Sequence, residues 1–288
     1  YYEAGPRAVD GVETGDAEAR AQGALDALLA RHLSEDEAPG HVFFVGAGPG
    51  DPELLTLKAR KLLDTADVVI HDRLIAPEIL DLARREARMI SAGKEGFGPS
   101  VAQSEINDLI LQHVRAGAQV VRLKSGDPGV FGRLDEEIEA VSAAGQPYTV
   151  VPGITAAASA VAGIGQSLTQ RARNASVRLL TGHDMKGFAD HDWTALAKPG
   201  EVAAIYMGKK AARFIQGRLM MHGADPATPV TVVENASRAD QRVIATSLSG
   251  LAAELTAAQL SGPALLLYGL APRAAAEVIP DLPIQEVL

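Results

Sequence analysis

From His41 onward, short runs of β-branched residues alternate with helical patterns, and this alternation constrains the fold of the 288-residue chain more than any other feature. The predicted strands of the first half lie at 42–45, 68–70, 89–90, 119–123 and 148–151. The predicted helices lie at 52–63, with Asp51 as N-cap, at 101–114, with Ser100 as N-cap, and at 135–143. Strands that alternate with helices are typical of a parallel sheet with helices on its faces. We therefore predict an α/β fold.

The second half predicts a mixed sheet. A helix of small residues is expected at 156–162, and strands are expected at 177–180, 202–206, 230–233, 242–245 and 265–268. The interval from Val230 to Ala245 has the spacing of a hairpin. With a boundary near Pro152, the chain divides into two α/β lobes, 41–153 and 154–270, with the active site in the cleft between them. Residues 1–40 form a helical segment (16–33) and a linker, and the proline-containing tail 271–288 is extended.

Composition excludes several classes of function. The chain has no cysteine, which excludes disulfide scaffolds, cysteine-ligated zinc and thiolate nucleophiles. It has no uninterrupted apolar run of about 18 residues, so we expect no membrane span. A net charge of −9 argues against a sequence-independent nucleic-acid binder. The histidines show no spacing typical of metal ligands, and we predict no metal.

A glycine loop, GAGPGDP at 46–52, connects the first strand to the first helix. Such loops often hold phosphate, but a dinucleotide site would need a small residue at position 51, where Asp51 stands. Pro49 also removes one backbone N–H from an anion cradle. The loop therefore suits a ligand without phosphate, or is simply a tight turn.

Two further strand-to-loop junctions have similar chemistry. RLKSGDPGVFGR, at 122–133, combines three glycines with four charged residues and is a poor core sequence. Asp127 either accepts hydrogen bonds from a ligand or caps the next helix. In VPGITAAAS, at 151–159, small side chains allow a flat ligand to approach the backbone, or allow close helix packing.

Together these loops resemble the uroporphyrinogen-III C-methyltransferases of the tetrapyrrole (class III) methylase family. The resemblance runs from His41 to Gly269. Its motifs are VGAGPGDPELLTLKA (45–59), His71-Asp72-Arg73, Gly93-Lys94, RLKSGDP (122–128), Phe131-Gly132-Arg133, VVPGITAA (150–157), Thr181-Gly182-His183, Tyr206-Met207-Gly208, Val233-Glu234-Asn235, Gln241-Arg242 and Gly262-Pro263-Ala264. The first forty residues resemble the end of the helical linking region in bifunctional siroheme synthases, which implies fusion to an upstream dehydrogenase–chelatase half.

The resemblance implies S-adenosylmethionine as methyl donor and uroporphyrinogen III as acceptor. Two pyrrole carbons are methylated to give precorrin-2, the branch point to sirohaem and cobalamin. The implied donor-binding residues are Pro49, Ser125, Gly126, Asp127, Val130, Thr155, Ala156, Met207, Ala236 and Ala264. It also implies a cytoplasmic homodimer.

The resemblance also implies the residues that act on the acceptor. Asp72 matches the family's proton acceptor and Lys94 its proton donor. Arginine forks bind carboxylates in a bidentate manner, and the acceptor carries eight of them. The implied acceptor-binding residues are Arg122, Lys124, Arg133, Arg171 and Lys209.

Three positions depart from the family pattern: Ser125 stands where glycine is usual, Gln170 where many members have histidine, and Ala236 where some have glycine. Three other functions remain open: a later precorrin methyltransferase, a non-catalytic donor-binding or assembly module, and, disfavoured by Pro49 and Asp51, a dehydrogenase.

Overall fold

Two five-stranded sheets organise the chain from residue 40 onward. The computed structural model describes residues 22–23, 39–93, 102–185 and 187–273. The described residues from Gly40 onward belong to one compact unit, which contains both sheets. The predicted helix at 16–33 is described only at residues 22–23, which are helical, and the predicted tail only at residues 271–273.

The first sheet is parallel throughout, as the sequence predicts. Its strands in the spatial order β3-β2-β4-β1-β5 are Arg88–Ser91 (β3), Val68–His71 (β2), Gln119–Lys124 (β4), His41–Gly46 (β1) and Tyr148–Val151 (β5). After β1 the chain leads to β2 on one side, and after β4 it leads to β5 on the other. Adjacent parallel strands with connections in opposite directions leave a crevice at their carboxyl ends, where ligands of α/β proteins commonly bind.

Helices cover both faces of this sheet. Helices Leu57–Thr65 (α1) and Pro77–Leu80 (α2) bury Leu63 and Ile79 against Val69 and Val121 on one face. Helices Gln103–Arg115 (α3) and Leu134–Ala143 (α4) pack Ile110 and Val141 on the other. The connections that follow β1 and β4 therefore leave on opposite faces, which keeps the crevice between these strands open.

The predicted helix at 52–63 is divided in two. A 3₁₀ turn, Pro52–Leu54, follows Asp51, whose carboxylate accepts the N–H of Glu53. Leu55 is extended, and α1 then begins at Leu57 because Thr56 accepts the N–H of Ala59. The prediction of a single helix at 52–63 was therefore wrong, because it overlooked Thr56 as a second N-cap. The predicted N-cap Ser100 lies outside the described residues, and α3 begins after Ala102.

The second sheet is mixed, which confirms the prediction for this half. In the spatial order β11-β10-β12-β9-β6, its strands are Arg242–Ser247 (β11), Pro229–Glu234 (β10), Ala264–Tyr268 (β12), Ala203–Tyr206 (β9) and Arg178–Thr181 (β6). The β10–β11 pair is antiparallel, as the hairpin spacing predicts, and of the four strand pairs in this sheet only β6–β9 is parallel. A short hairpin, His183–Asp184 (β7) with Gly187–Phe188 (β8), follows β6.

Four described helices accompany the second sheet. Ala156–Gly163 (α5) packs on one face against Val233 and Leu267. Trp193–Leu196 (α6), Ala212–Met221 (α7) and Leu251–Ala258 (α8) form the core on the other face. Of these four, the sequence analysis predicts only α5. Pro152 lies between β5 and α5, where the analysis places the lobe boundary, and that boundary stays a prediction.

No helix within the described ranges is both long and apolar enough to cross a bilayer.

Two histidines of the first lobe are expected to make stability depend on pH. Burial lowers the pKa of His41 below its ordinary 6.5, and burial, with the nearby Arg88 cation, lowers the pKa of His113. Below pH 6.5 the unfolded chain therefore binds more protons at these sites than the folded chain, and stability falls as the pH falls. We expect the free energy of unfolding, measured by denaturant titration, to fall between about pH 7 and about pH 5.5, and to fall less in His113→Gln. An unchanged slope in that variant would contradict the assignment.

Candidate functional site

The loops that follow β1 and β4 are joined by their backbones at the crevice between these strands. The N–H of Gly126 donates to the carbonyl of Gly48 at 2.8 Å, and the N–H of Gly48 donates to the carbonyl of Gly126 at 3.1 Å. The two glycine loops predicted to face a ligand therefore lie side by side.

The loop after β5 packs against both, and the contact has no space for side chains. A Cβ on Gly153 would lie 2.2 Å from the carbonyl oxygen of Gly126, and one on Gly46 would lie 2.5 Å from the nitrogen of Gly153. Backbone cannot yield as a flexible side chain does, so these positions require glycine. We call the packed backbones of Gly46, Gly126 and Gly153 the glycine junction.

Asp127 fixes the same loops from the side. One carboxylate oxygen accepts the N–H of Gly129 at 2.8 Å, and the other accepts the N–H of Gly153 at 2.9 Å. Each oxygen keeps a lone pair for a further donor. Asp127 is thus both a loop cap and a cavity-lining carboxylate, which combines the two interpretations that the sequence left open.

A cavity of about 250 Å³ lies beside the glycine junction, whose Gly126 is part of the cavity lining. Loops from both sheets line it, so that the predicted cleft between the lobes is present. Its lining includes all ten predicted donor-binding residues: Pro49, Ser125, Gly126, Asp127, Val130, Thr155, Ala156, Met207, Ala236 and Ala264. The structure brings these ten residues together, and it stays a prediction that they bind the methyl donor.

The second lobe contributes a tyrosine that connects its sheet to α5. The hydroxyl of Tyr206, at the end of β9, lies 2.5 Å from that of Thr155 and accepts the N–H of Ala157 at 3.1 Å. The ring of Phe131 lies against the Tyr206 ring, with 5.1 Å between centroids. Both aromatic residues line the cavity. Both lie within motifs of the family resemblance, but neither is among the residues predicted for the site.

Three cavity-lining residues have a strained backbone. Phe131, Met207 and Asn235 have φ of 52°, 53° and 52°, in the left-handed region that disfavours side chains. Each such residue costs about 1–3 kcal/mol, and such strain concentrates at ligand sites. The buried Oδ1 of Asn235 also has no hydrogen-bond partner among the described residues. The loop after β10 therefore carries features typical of a binding site.

Loops of the two lobes also touch beside the cavity. The guanidinium of Arg238 donates to the carbonyl of Leu74, and the N–H of Asp51 donates to the hydroxyl of Ser237 at 3.1 Å. Since Asp51 also caps the turn at Pro52–Leu54, the place where a helix N-terminus would hold phosphate is occupied by a carboxylate. This arrangement disfavours a phosphate-bearing ligand, as the sequence analysis argues.

Asp72, the predicted proton acceptor, lies on the cavity wall at the carboxyl end of β2. Its side chain is 33% exposed, and one carboxylate oxygen accepts a hydrogen bond from the Arg122 guanidinium at 2.5 Å. The predicted proton donor, Lys94, lies outside the described residues.

Arg122 and Lys124 are buried in ion pairs, an environment that the sequence analysis does not foresee. Both contact the buried Glu137 on α4, Arg122 through Nε at 3.1 Å and Lys124 through Nζ at 2.8 Å. Burial lowers the pKa of Lys124, as does the neighbouring Arg122, while Glu137 raises it. Both residues are only 2% exposed, but Lys124 lines the cavity, whereas Arg122 does not. The free arginine fork predicted at 122 is thus already occupied by protein carboxylates.

The other predicted acceptor-binding residues lie outside the cavity lining. Arg133 is exposed and pairs with Glu136 at 2.6 Å, and Arg171 lines a separate hollow formed by residues 169–175, which also contains Gln170. Lys209 donates to the carbonyls of Leu260 and Gly262, and therefore connects two loops of its own lobe. Of these three, Arg133 and Arg171 retain exposed guanidinium groups.

No group of three or more histidine, aspartate or glutamate side chains within the described part of the chain is arranged to hold a metal ion.

Comparison with known proteins gives consistent relatives. Residues 41–252 match the family model of the tetrapyrrole (corrin/porphyrin) methylases. The siroheme synthase of Pseudoalteromonas translucida is 43% identical over 261 residues, which cover 91% of this chain and 54% of that protein. Siroheme synthase 2 of Aeromonas hydrophila is 47% identical over 230 residues, or 80% and 48% of the two chains. The chain thus spans about half the length of these relatives.

Solved structures give the same picture. The uroporphyrin-III C-methyltransferase of Thermus thermophilus, solved with S-adenosyl homocysteine, superposes with a TM-score of 0.69 at 37% identity, covering 80% of this chain and 97% of that one. The cobalamin biosynthetic cobalt precorrin-4 methyltransferase CbiF has a TM-score of 0.72 at 26% identity, covering 81% and 96%.

Proposed function

Because the chain belongs to the tetrapyrrole (corrin/porphyrin) methylase family, we propose that it methylates two pyrrole carbons of uroporphyrinogen III and gives precorrin-2. The similarity to the Thermus thermophilus uroporphyrin-III C-methyltransferase, at 37% identity over nearly all of that chain, carries the choice of acceptor. The similarity to siroheme synthases, at 43–47% identity, supports the same acceptor.

S-Adenosylmethionine is the proposed donor, and the cavity residues fit it. The donor has a sulfonium and a carboxylate but no phosphate, which suits a turn already capped by Asp51. Asp127 keeps acceptor capacity for ribose hydroxyls or an amino group. Thr155 and Ala156 present small side chains, and Met207 and Ala264 supply apolar contacts from the second lobe. When bound, this donor supplies an electrophilic methyl group.

Asp72 is the proposed proton acceptor. When a pyrrole carbon gains a methyl group, positive charge develops on the macrocycle and a proton must leave. Asp72 has an acidic side chain at the cavity wall, partly exposed and oriented by Arg122. Lys94 remains the proposed proton donor on the resemblance alone. Alignment of the reactants and exclusion of water supply much of the remaining acceleration.

Binding of the polycarboxylate acceptor falls to the exposed arginines. Arg133 and Arg171 keep guanidinium groups at the surface and are the proposed ligands of its carboxylates. Lys124 faces the cavity from a buried position and is proposed to contact the acceptor there. For Arg122 and Lys209 we replace the acceptor-binding assignment with internal roles, because neither lines the cavity nor is exposed at the surface, and their donors are engaged within the protein.

The wider context is also part of the proposal. Since the siroheme synthases are about twice as long as this chain, we propose that the methylase operates joined to a dehydrogenase–chelatase half. A homodimer in the cytoplasm is proposed from the family resemblance, as is the supply of precorrin-2 to sirohaem or cobalamin.

Anaerobic incubation with S-adenosylmethionine and uroporphyrinogen III tests the activity. We expect the precorrin-2 chromophore and two methyl groups transferred per macrocycle, measured by absorbance and mass spectrometry. A protein that methylates only a more highly methylated precorrin would instead support the second candidate, which the similarity to cobalt precorrin-4 methyltransferase favours. Donor binding detected by calorimetry, without any methyl transfer, would indicate a non-catalytic binding module. Tight binding of a nicotinamide dinucleotide would instead support a dehydrogenase.

A further inference from the structure

Four charged side chains form a continuous cluster beside the cavity: Asp72, Arg122, Lys124 and Glu137. Arg122 and Lys124 are two residues apart on β4, and alternate strand residues lie on the same face, here toward α4. Asp72 and Lys124 line the cavity, whereas Arg122 and Glu137 lie behind them. The cluster therefore extends from the cavity wall into the core of the first lobe.

Glu137 holds the inner end of this cluster. It is 1% exposed and lies in the first turn of α4. One carboxylate oxygen accepts Arg122 Nε at 3.1 Å and Gln103 Nε2 at 3.2 Å, and the other accepts Lys124 Nζ at 2.8 Å. Without this carboxylate, two cations would be buried together on one strand face, which is strongly unfavourable.

The contacts of Arg122 show how Glu137 affects the cavity wall. A guanidinium is a rigid plane, so a bond at Nε determines the direction of the terminal nitrogens. With Nε on Glu137, one terminal nitrogen lies 2.5 Å from the Asp72 carboxylate, and the other lies near the carbonyls of Ile70 and Leu123. Glu137 thus sets the plane of the group that fixes Asp72.

We propose that Glu137 is a positioning residue for methyl transfer, which acts through Arg122 to hold Asp72 in its proton-accepting orientation. The proposal rests on the proposed function, in which Asp72 accepts the proton. Glu137 itself does not reach the cavity.

A double-mutant cycle in turnover tests this inference. Glu137→Leu removes both acceptor oxygens, and we expect kcat to fall about 30-fold, because misplacement of a reacting group by about 1 Å can cost about 10²-fold. The Kd for S-adenosylmethionine, measured by calorimetry, should change less than about threefold, since Glu137 contacts none of the ten residues proposed to bind this methyl donor. In an Asp72→Ala background the same substitution should change single-turnover rates less than about twofold, because Arg122 then has nothing to position.

Two further variants separate positioning from folding. Lys124→Met/Glu137→Leu removes one buried charge of each sign, so it retains charge balance if Glu137→Leu does not fold. Its kcat, compared with that of Lys124→Met alone, should show the same loss. Glu139→Gln, on the exposed face of the same helix, serves as control and should retain wild-type kcat.

The outcomes are distinct. Equal losses of rate with and without Asp72, or a parallel loss of donor affinity, would show that Glu137 has only a structural role and would overturn the proposal. If the wild-type chain transfers no methyl group, the proposed function fails by itself. A crystal structure of the charge-balanced variant then decides the positional claim: loss of the contact between Arg122 and Asp72 supports it, and retention of that contact overturns it.

Discussion

Asp72→Ala is expected to lower the rate of methyl transfer about 10³-fold, within the range that a positioned proton-transfer group contributes. Its affinity for S-adenosylmethionine should change less than about threefold, since the carboxylate is proposed to act on the acceptor and not on the donor. Single-turnover assays with labelled donor measure the rate, and calorimetry measures the binding.

The matched control is Asp108→Ala, which removes an exposed carboxylate on α3 and should leave both quantities unchanged. Lys94→Ala is expected to follow the pattern of Asp72→Ala, because the resemblance assigns it the complementary proton transfer. If donor binding and rate fall in proportion in Asp72→Ala, the role of Asp72 is structural and the proposed assignment is wrong.

Gly153→Ala is expected to destabilise the protein and to weaken donor binding. The added Cβ would lie 2.2 Å from the carbonyl oxygen of Gly126 and 2.9 Å from backbone atoms of Gly46, so that the loops after β1, β4 and β5 must separate. Overpacking of this kind costs about 1–3 kcal/mol, occasionally more. We expect a loss of about 3 kcal/mol in the free energy of unfolding and a donor Kd weakened about 100-fold or more.

Denaturant titration and calorimetry measure these two effects. Gly217→Ala is the matched control, since a Cβ at this position on α7 meets no atom within 4 Å. Replacing a glycine inside a helix should stabilise the protein by about 0.5–1 kcal/mol and leave donor binding unchanged. A Gly153→Ala variant that binds donor as the wild type does would show that the glycine junction does not shape the cavity.

Sequence periodicity was sufficient to predict the strands of the two five-stranded sheets, but not the short hairpin of β7 and β8, and it also predicts the parallel or mixed character of each large sheet. Alternation of strand and helix predicts the first sheet, and the spacing between β10 and β11 predicts the hairpin. The apolar spacing continues through Leu55 and therefore predicts one helix at 52–63. The break at Leu55 is indicated only by Thr56, the N-cap of α1. Helices α7 and α8 pack on the second sheet and were not predicted.

The residues of the site could be predicted where a motif or the backbone fixes their position. They were predicted less well where long charged side chains can pair with several different partners. The ten donor-binding candidates came from motifs, and all ten line one cavity. The acceptor-binding prediction for Arg122 rests on a position that the family uses for substrate carboxylates, and Lys124 was added as a second cation in the same loop. Their actual partner, Glu137, lies on a helix thirteen and more residues away, and no local pattern shows that it faces inward.

The glycine junction should tolerate substitution much less than the side chains that line the rest of the cavity. The main-chain atoms of this junction present the same surface whatever the neighbouring side chains are, and a Cβ added at Gly46 or Gly153 would collide with the carbonyl oxygen of Gly126. Under the proposed function, discrimination between one macrocycle and another should therefore reside in the side chains that line the cavity, such as Phe131. Directed evolution toward a new acceptor should accumulate its productive changes at these side chains and almost none at the glycine junction.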